Sequence, residues 1–139
     1  AVIEPALARG AEVLCDRFTD STFAYQGAGR GFDPGVLGQL ESWVQQGRQP
    51  DLTLWFDLDP AEAARRRAAV RSADRLERED EAFFARVRVG YAQRAQAAPA
   101  RFTRIDAAQT REAVRVDAIR AIASRGWFPH ASVTDDRRA

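Results

Sequence analysis

Residues 50–60 read PDLTLWFDLDP, and from Leu52 to Leu58 only Thr53 and Asp57 interrupt an apolar run. A strand with one solvated face alternates apolar and polar side chains. A near-continuous run flanked by proline, here Pro50 and Pro60, instead suits a strand covered on both faces. Such strands belong to parallel sheets layered between helices, so this one stretch already points to an α/β chain. Two shorter runs agree. EVLCD, Glu12 to Asp16, predicts a short buried strand, and RFTRID a third short strand, Phe102 to Ile105.

Helical spacing fills the intervals. Val2 to Ala8 predicts the closing turns of a helix ended at Gly10. FDPGVLGQLESWVQQG predicts a helix with Asp33 as cap, Pro34 in its first turn and Gly47 past its end. Val36, Leu37, Leu40, Trp43 and Val44 recur on one face of it. PAEAARRRAAV predicts a helix from Pro60, and DEAFFARVRVGYAQRAQAA a long one with Phe83, Phe84, Val87 and Tyr91 near one face. A last helix is expected between a Thr110 cap and Gly126. Between the two middle helices RSADRLERED is a charged connection, and residues 128–139 read as an aperiodic tail, which leaves 1–127 as the domain. In parallel sheets ligands bind beyond the carboxyl ends of the strands. That rule puts the Asp16-Arg17 loop, Asp57, Asp59 and Asp106 along one edge.

Composition narrows the partners. The 139 residues carry a net charge of +1, which implies no general pull toward nucleic acid or membrane. No apolar run has the length of a membrane span. One cysteine, Cys15, excludes an internal disulfide and fits a reducing, cytoplasmic compartment; it is expected to be a small buried residue. All 21 basic residues are arginine, so a phosphate loop of the GxxxxGK[ST] type, which requires lysine, cannot be formed by this chain. The absence of methionine means that Ala1 is no ordinary initiator unless the chain is processed.

Chemistry concentrates in CDRFTDSTFAYQGAGRGF, Cys15 to Phe32. An arginine directly after a parallel strand can offer a planar fork to a phosphate, and Asp16 can orient Arg17 or reach a hydrated metal; the dipeptide alone reads equally as an ion pair at a strand end. Ser21 and Thr22 suit helix capping. On a helical turn Thr22 shares a face with Tyr25 and Gln26, a pairing of hydroxyl and ring that suits a flat heterocycle with a sugar beside it. Gly27, Gly29 and Gly31 lack the G-x-G-x-x-G spacing and are expected to form a mobile surface loop. Arg65, Arg66, Arg67, Arg71 and Arg75 surround a helix end, where arginines serve either a solvated face interleaved with Glu77, Glu79 and Asp80 or a transferring phosphoryl group. Asp57 and Asp59 end a strand, where carboxylates can hold Mg²⁺ through water; Asp59 is expected rather to cap the helix at Pro60.

Taken together, DRFTDSTFAYQGAGRG, PDLTLWFDLDP, RSADRLERED and RIDA resemble the bacterial thymidylate kinases, in the family's order and at about its spacing. The resemblance covers nearly all of Ala1 to Trp127. It implies a P-loop nucleoside-monophosphate-kinase-like fold, three layers around a parallel sheet, here incomplete because the first strand and the phosphate loop are missing. The missing strand would lie between those at 12–16 and 52–58, so two strand edges and part of the core should be exposed. It also implies transfer of the γ-phosphoryl of MgATP to dTMP, giving dTDP, with Mg²⁺ as cofactor and a homodimer as the complete protein. Arg17 would bind the dTMP phosphate, with Phe18 and Ser21 beside it. Asp16 would sit near that phosphate and, through water, Mg²⁺. Thr22 would contact the thymine edge, Tyr25 would lie under the deoxyribose and disfavour a 2′-hydroxyl, and Gln26 would support the base. A lid spanning ARRRAAVRSADR would supply a phosphoryl-transfer arginine, with Arg66, Arg71 and Arg75 as candidates, and Ala107 would lie near the adenine of ATP. Without a phosphate loop the chain alone should be inactive. Two other readings stay open: a non-catalytic interaction or dimerisation domain keeping the acceptor half, and another small nucleotide kinase.

Overall fold

The computed structural model describes residues 2–68 and 81–127. Helix α1 (Ile3–Ala8) stops where Gly10 takes a left-handed φ of 77°. A single turn, α2 (Thr19–Thr22), runs without a break into a π-helical segment, Phe23–Gly29. Helix α3 (Pro34–Gln45) starts as its sequence dictates: Asp33 Oδ1 accepts from the amides of Gly35 at 2.6 Å and Val36 at 3.1 Å. It ends in left-handed Gln46 and Gly47, at φ 50° and 83°. Strand β1 (Thr53–Asp57) leads to α4 (Pro60–Ala68), whose first turn Asp59 caps through the Ala61 amide at 3.0 Å. Helix α5 (Glu81–Ala97), strand β2 (Phe102–Asp106) and α6 (Arg111–Ala123) complete the order, with Thr110 capping α6 at the Ala113 amide.

The fold is α/β, and β1 pairs with β2 in parallel, with Thr53 opposite Phe102 and Asp57 opposite Asp106. Both strand ends therefore lie side by side, as the crossover pattern requires. Three expectations fail nearby. Glu12 to Asp16 form no strand: the segment has no regular structure and is exposed throughout, with Leu14 97% accessible and Cys15 exposed rather than buried. Among the described residues no strand lies beside it, so its backbone finds no ladder and its apolar side chains no cover. The same lack of cover leaves Phe56 of β1 half exposed, where a strand buried on both faces was expected.

The best-packed region is the contact of the π-helical segment with α5, around Ala24, Phe83 and Val87, with Tyr25, Phe84 and Tyr91 against them. The glycine-rich stretch is part of this packing and not a mobile loop. Gly27 and Gly29 are buried. A Cβ on Gly29 would come within 2.7 Å of the buried Phe83 ring, and one on Gly90 within 2.8 Å of both Ala24 Cα and Ala28 Cβ. These glycines let two helical backbones approach more closely than any side chain allows. Only Gly31, at φ 74°, serves as a turn residue.

Candidate functional site

The segment Asp16 to Gln26 builds the site from one end of α2 outward. Asp16 and Arg17 precede the helix and are exposed, and Phe18 stands half-buried before its first turn. Arg17 adopts φ 62°, a left-handed conformation that is uncommon for a side-chain-bearing residue and marks a constrained position. Its guanidinium lies over the Tyr25 ring, 4.4 Å from the centroid. Ser21 Oγ and Tyr91 Oη share a hydrogen bond of 2.7 Å. Tyr25 meets Phe83 and Tyr91 edge to face, and Tyr91 stacks on Trp55 of β1 at 6.2 Å and 21°. Arg17, Ser21 and Tyr25 thus form one connected cluster, whereas Thr22 and Gln26 face solvent at its rim. Burial pushes the Tyr91 phenol above its ordinary pKa, and the Ser21 bond offsets this only in part.

Beneath the cluster lies an ionic group that the sequence analysis missed. Asp20 is 3% exposed, and its carboxylate accepts from Arg94 Nε at 2.7 Å and from both terminal nitrogens of Arg101 at 2.7 and 2.8 Å. Arg94 also donates to Glu41 at 2.8 Å, Thr19 donates to Glu41 at 2.9 Å, and Arg101 donates to Thr53 at 2.8 Å. The group ties α2 to α3, α5 and β1. Burial raises the Asp20 pKa, and the bonds from Arg101 and Arg94 more than offset it, holding the carboxyl below the usual range. A hint was present in the sequence. Tyr91 and Arg94 are three residues apart on α5 and share a face, which here grips Ser21 and Asp20.

At the strand ends Asp57 is also buried, with Arg88 Nε at 2.7 Å on one oxygen and Arg104 Nε at 2.7 Å on the other. Desolvation raises its pKa, but Arg88 and Arg104 outweigh it and keep the group ionised. Both oxygens are engaged by guanidinium groups, so Asp57 does not fit a magnesium ligand, and Asp59 is occupied as the α4 cap. Ala107 sits in a turn closed by Asp106 Oδ1, which accepts from the Ala108 amide. Arg66 donates to the carbonyls of Ala107 and Ala108, both at 2.9 Å, and to Glu62 at 2.7 Å, which joins α4 to this turn. Arg71 and Arg75, like the tail at 128–139, lie outside the described residues.

Comparison with known proteins bears on this arrangement directly. The family model described as thymidylate kinase matches residues 1–118. The chain is 58% identical over 135 residues to the thymidylate kinase of Albidiferax ferrireducens, covering 91% of this chain and 63% of that protein. It is 62% identical over 109 residues to that of Paraburkholderia xenovorans, covering 78% and 53%. A crystal structure of thymidylate kinase from Ehrlichia chaffeensis superposes with a TM-score of 0.65 at 31% identity, over 88% of this chain and 56% of that one. The chain thus spans about three fifths of the length of the curated relatives it matches. The described architecture, the parallel strand pair and the family match agree, and the chain belongs to the thymidylate kinase family.

Proposed function

We propose that this chain is the acceptor-side part of a dTMP kinase, a phosphotransferase that moves the γ-phosphoryl of MgATP to dTMP. The observation that carries the reading is the Arg17–Tyr25 pair, a cation held over an aromatic face and linked through Tyr91 to the Ser21 hydroxyl. It offers a phosphate fork and a sugar platform within one small cluster. In this reading Arg17 binds the dTMP phosphate, with Phe18 and Ser21 shaping the pocket around it. Thr22 meets the thymine edge, Gln26 supports the base, and Tyr25 lies under the deoxyribose. Asp16 holds a water shell near the phosphate. Magnesium, when bound, neutralises charge on the transferring phosphoryl group.

On the donor side the Ala107 turn receives the adenine, and Arg66 holds that turn through its carbonyls. Arg66, Arg71 and Arg75 remain the candidates for the arginine that reaches the phosphoryl group. The complete protein works in the cytoplasm as a homodimer. The exposed apolar face of α3 supports pairing there: Val36 and Leu40 are each 43% accessible, Trp43 72% and Val44 79%.

Phosphoryl transfer is chiefly positioning and charge neutralisation. This sequence contains no lysine, and with it no GxxxxGK[ST] motif, so the chain by itself should not turn over. An assay of ATP- and dTMP-dependent ADP release on the purified 139-residue chain checks this, and clear turnover overturns it. Titration of the same chain with dTMP, followed by NMR, checks the acceptor site; resonances of Arg17 and Tyr25 should move, and a silent cluster contradicts the assignment.

A further inference from the structure

We propose that Tyr91 is a positioning residue for the acceptor site, fixing Tyr25 and Ser21 and so setting how strongly a ribose 2′-hydroxyl is rejected. The inference rests on the reading of Tyr25 as the sugar platform.

Selection against one added hydroxyl is a matter of a small displacement. A ring that drifts by a fraction of an ångström makes room for the extra oxygen, so discrimination depends on what holds the ring. Three contacts converge on Tyr91. Its hydroxyl bonds Ser21 at 2.7 Å, its ring meets Tyr25 at 6.4 Å and 84°, and it stacks on Trp55 at 6.2 Å. Trp55 belongs to β1, the strand hydrogen-bonded to β2, so Tyr91 is braced against the sheet.

The helix carrying Tyr91 is itself fixed at this level. Gly90 lies so close to the π-helical segment that a Cβ would fall 2.8 Å from Ala24 Cα, next to Tyr25 in sequence. One turn further on, Arg94 holds Asp20, next to Ser21, at 2.7 Å. Helix α5 therefore grips both partners of Tyr91 from below, and Tyr91 transmits that grip to the two side chains that face the acceptor. Arg17, stacked over Tyr25, shares in the result. A tyrosine that merely filled the core would affect deoxyribose and ribose acceptors alike. One that positions Tyr25 changes their ratio.

The test is a titration of the chain with dTMP and with ribothymidine monophosphate, which differ only in the 2′-hydroxyl, reading both dissociation constants by NMR. Wild type should prefer dTMP. Tyr91→Leu, which loses ring and hydroxyl, should reduce that preference by about fivefold, and Tyr91→Phe, which keeps the ring, by about twofold. A variant that weakens both nucleotides equally and preserves the ratio overturns the inference while leaving the reading of Tyr25 intact. A wild-type chain indifferent to the 2′-hydroxyl overturns that reading and this inference with it. If Tyr91→Leu does not fold, Tyr91→Phe decides: a lower ratio supports the role and an unchanged ratio ends it.

Discussion

The segment from Ala11 to Gly29 divides into two halves that differ sharply in how they are held. From Phe18 to Gly29 it is packed on α5, pinned by the Asp20 group and sealed by glycines in close contact. From Ala11 to Arg17 it is exposed at every position, and Leu14 is 97% accessible. Both halves have apolar residues. The difference lies in neighbours: α5 covers the second half, while no described element runs beside the first. Apolar composition alone does not bury a segment; a partner surface must be there to receive it.

The packed half depends most on Asp20. Asp20→Ala leaves Arg94 and Arg101 without their shared carboxylate and should cost about 3 kcal/mol in denaturant unfolding. A loss near zero would mean that the ionic group does not hold the packed half. Gly90→Ala forces a methyl group against Ala24 and Ala28 and should cost about 2 kcal/mol, read as a fall in the thermal midpoint. An unchanged midpoint would show the helices free to move apart.

Acid acts on the same group. The folded Asp20 pKa is depressed, so its stabilisation is complete above the unfolded carboxylate pKa of about 3.9 and is lost as pH falls below it toward the folded value. Asp57 behaves in the same sense. Unfolding followed between pH 5 and pH 2 should therefore be less steep in Asp20→Asn than in wild type, and identical slopes would remove Asp20 from the account. Two smaller changes calibrate the rest. Asp33→Ala removes the α3 cap and should cost about 1 kcal/mol. Leu14→Ser, in the exposed half, should stay within about 0.5 kcal/mol of wild type. A large loss at Leu14 would mean that the first half is covered after all.

Much of the architecture was legible in the sequence. Asp33-Pro34, Pro60 and Thr110 announced helix starts because a cap acts on amides two or three residues away. The strand at 53–57 was readable from its apolar run, and the one at 102–106 from the segment RFTRID, read one residue short at its end. Of the residues the sequence singles out, Arg17, Ser21 and Tyr25 are joined in one cluster through Tyr91. What escaped was what supports it. Asp20 finds Arg94 at a separation of 74 residues and Arg101 at 81, and no local pattern marks such partners. The glycines misled for a related reason. Spacing shows that Gly29 and Gly90 lack side chains, but not that Phe83 and Ala24 press on the space left.

By itself, then, the sequence determined the strands at 53–57 and 102–106, the helices with their caps at Asp33, Asp59 and Thr110, the family signature and the exclusion of a lysine phosphate loop from this chain, all of which depend on residue identity and short-range spacing. Only the tertiary structure decided that Glu12 to Asp16 stays unpaired, that the glycines pack instead of flexing, and that Asp20 and Tyr91 hold the segment carrying Arg17, Ser21 and Tyr25. Those outcomes depend on which surfaces meet across the fold, and burial, ion pairing and ring stacking come into being only there.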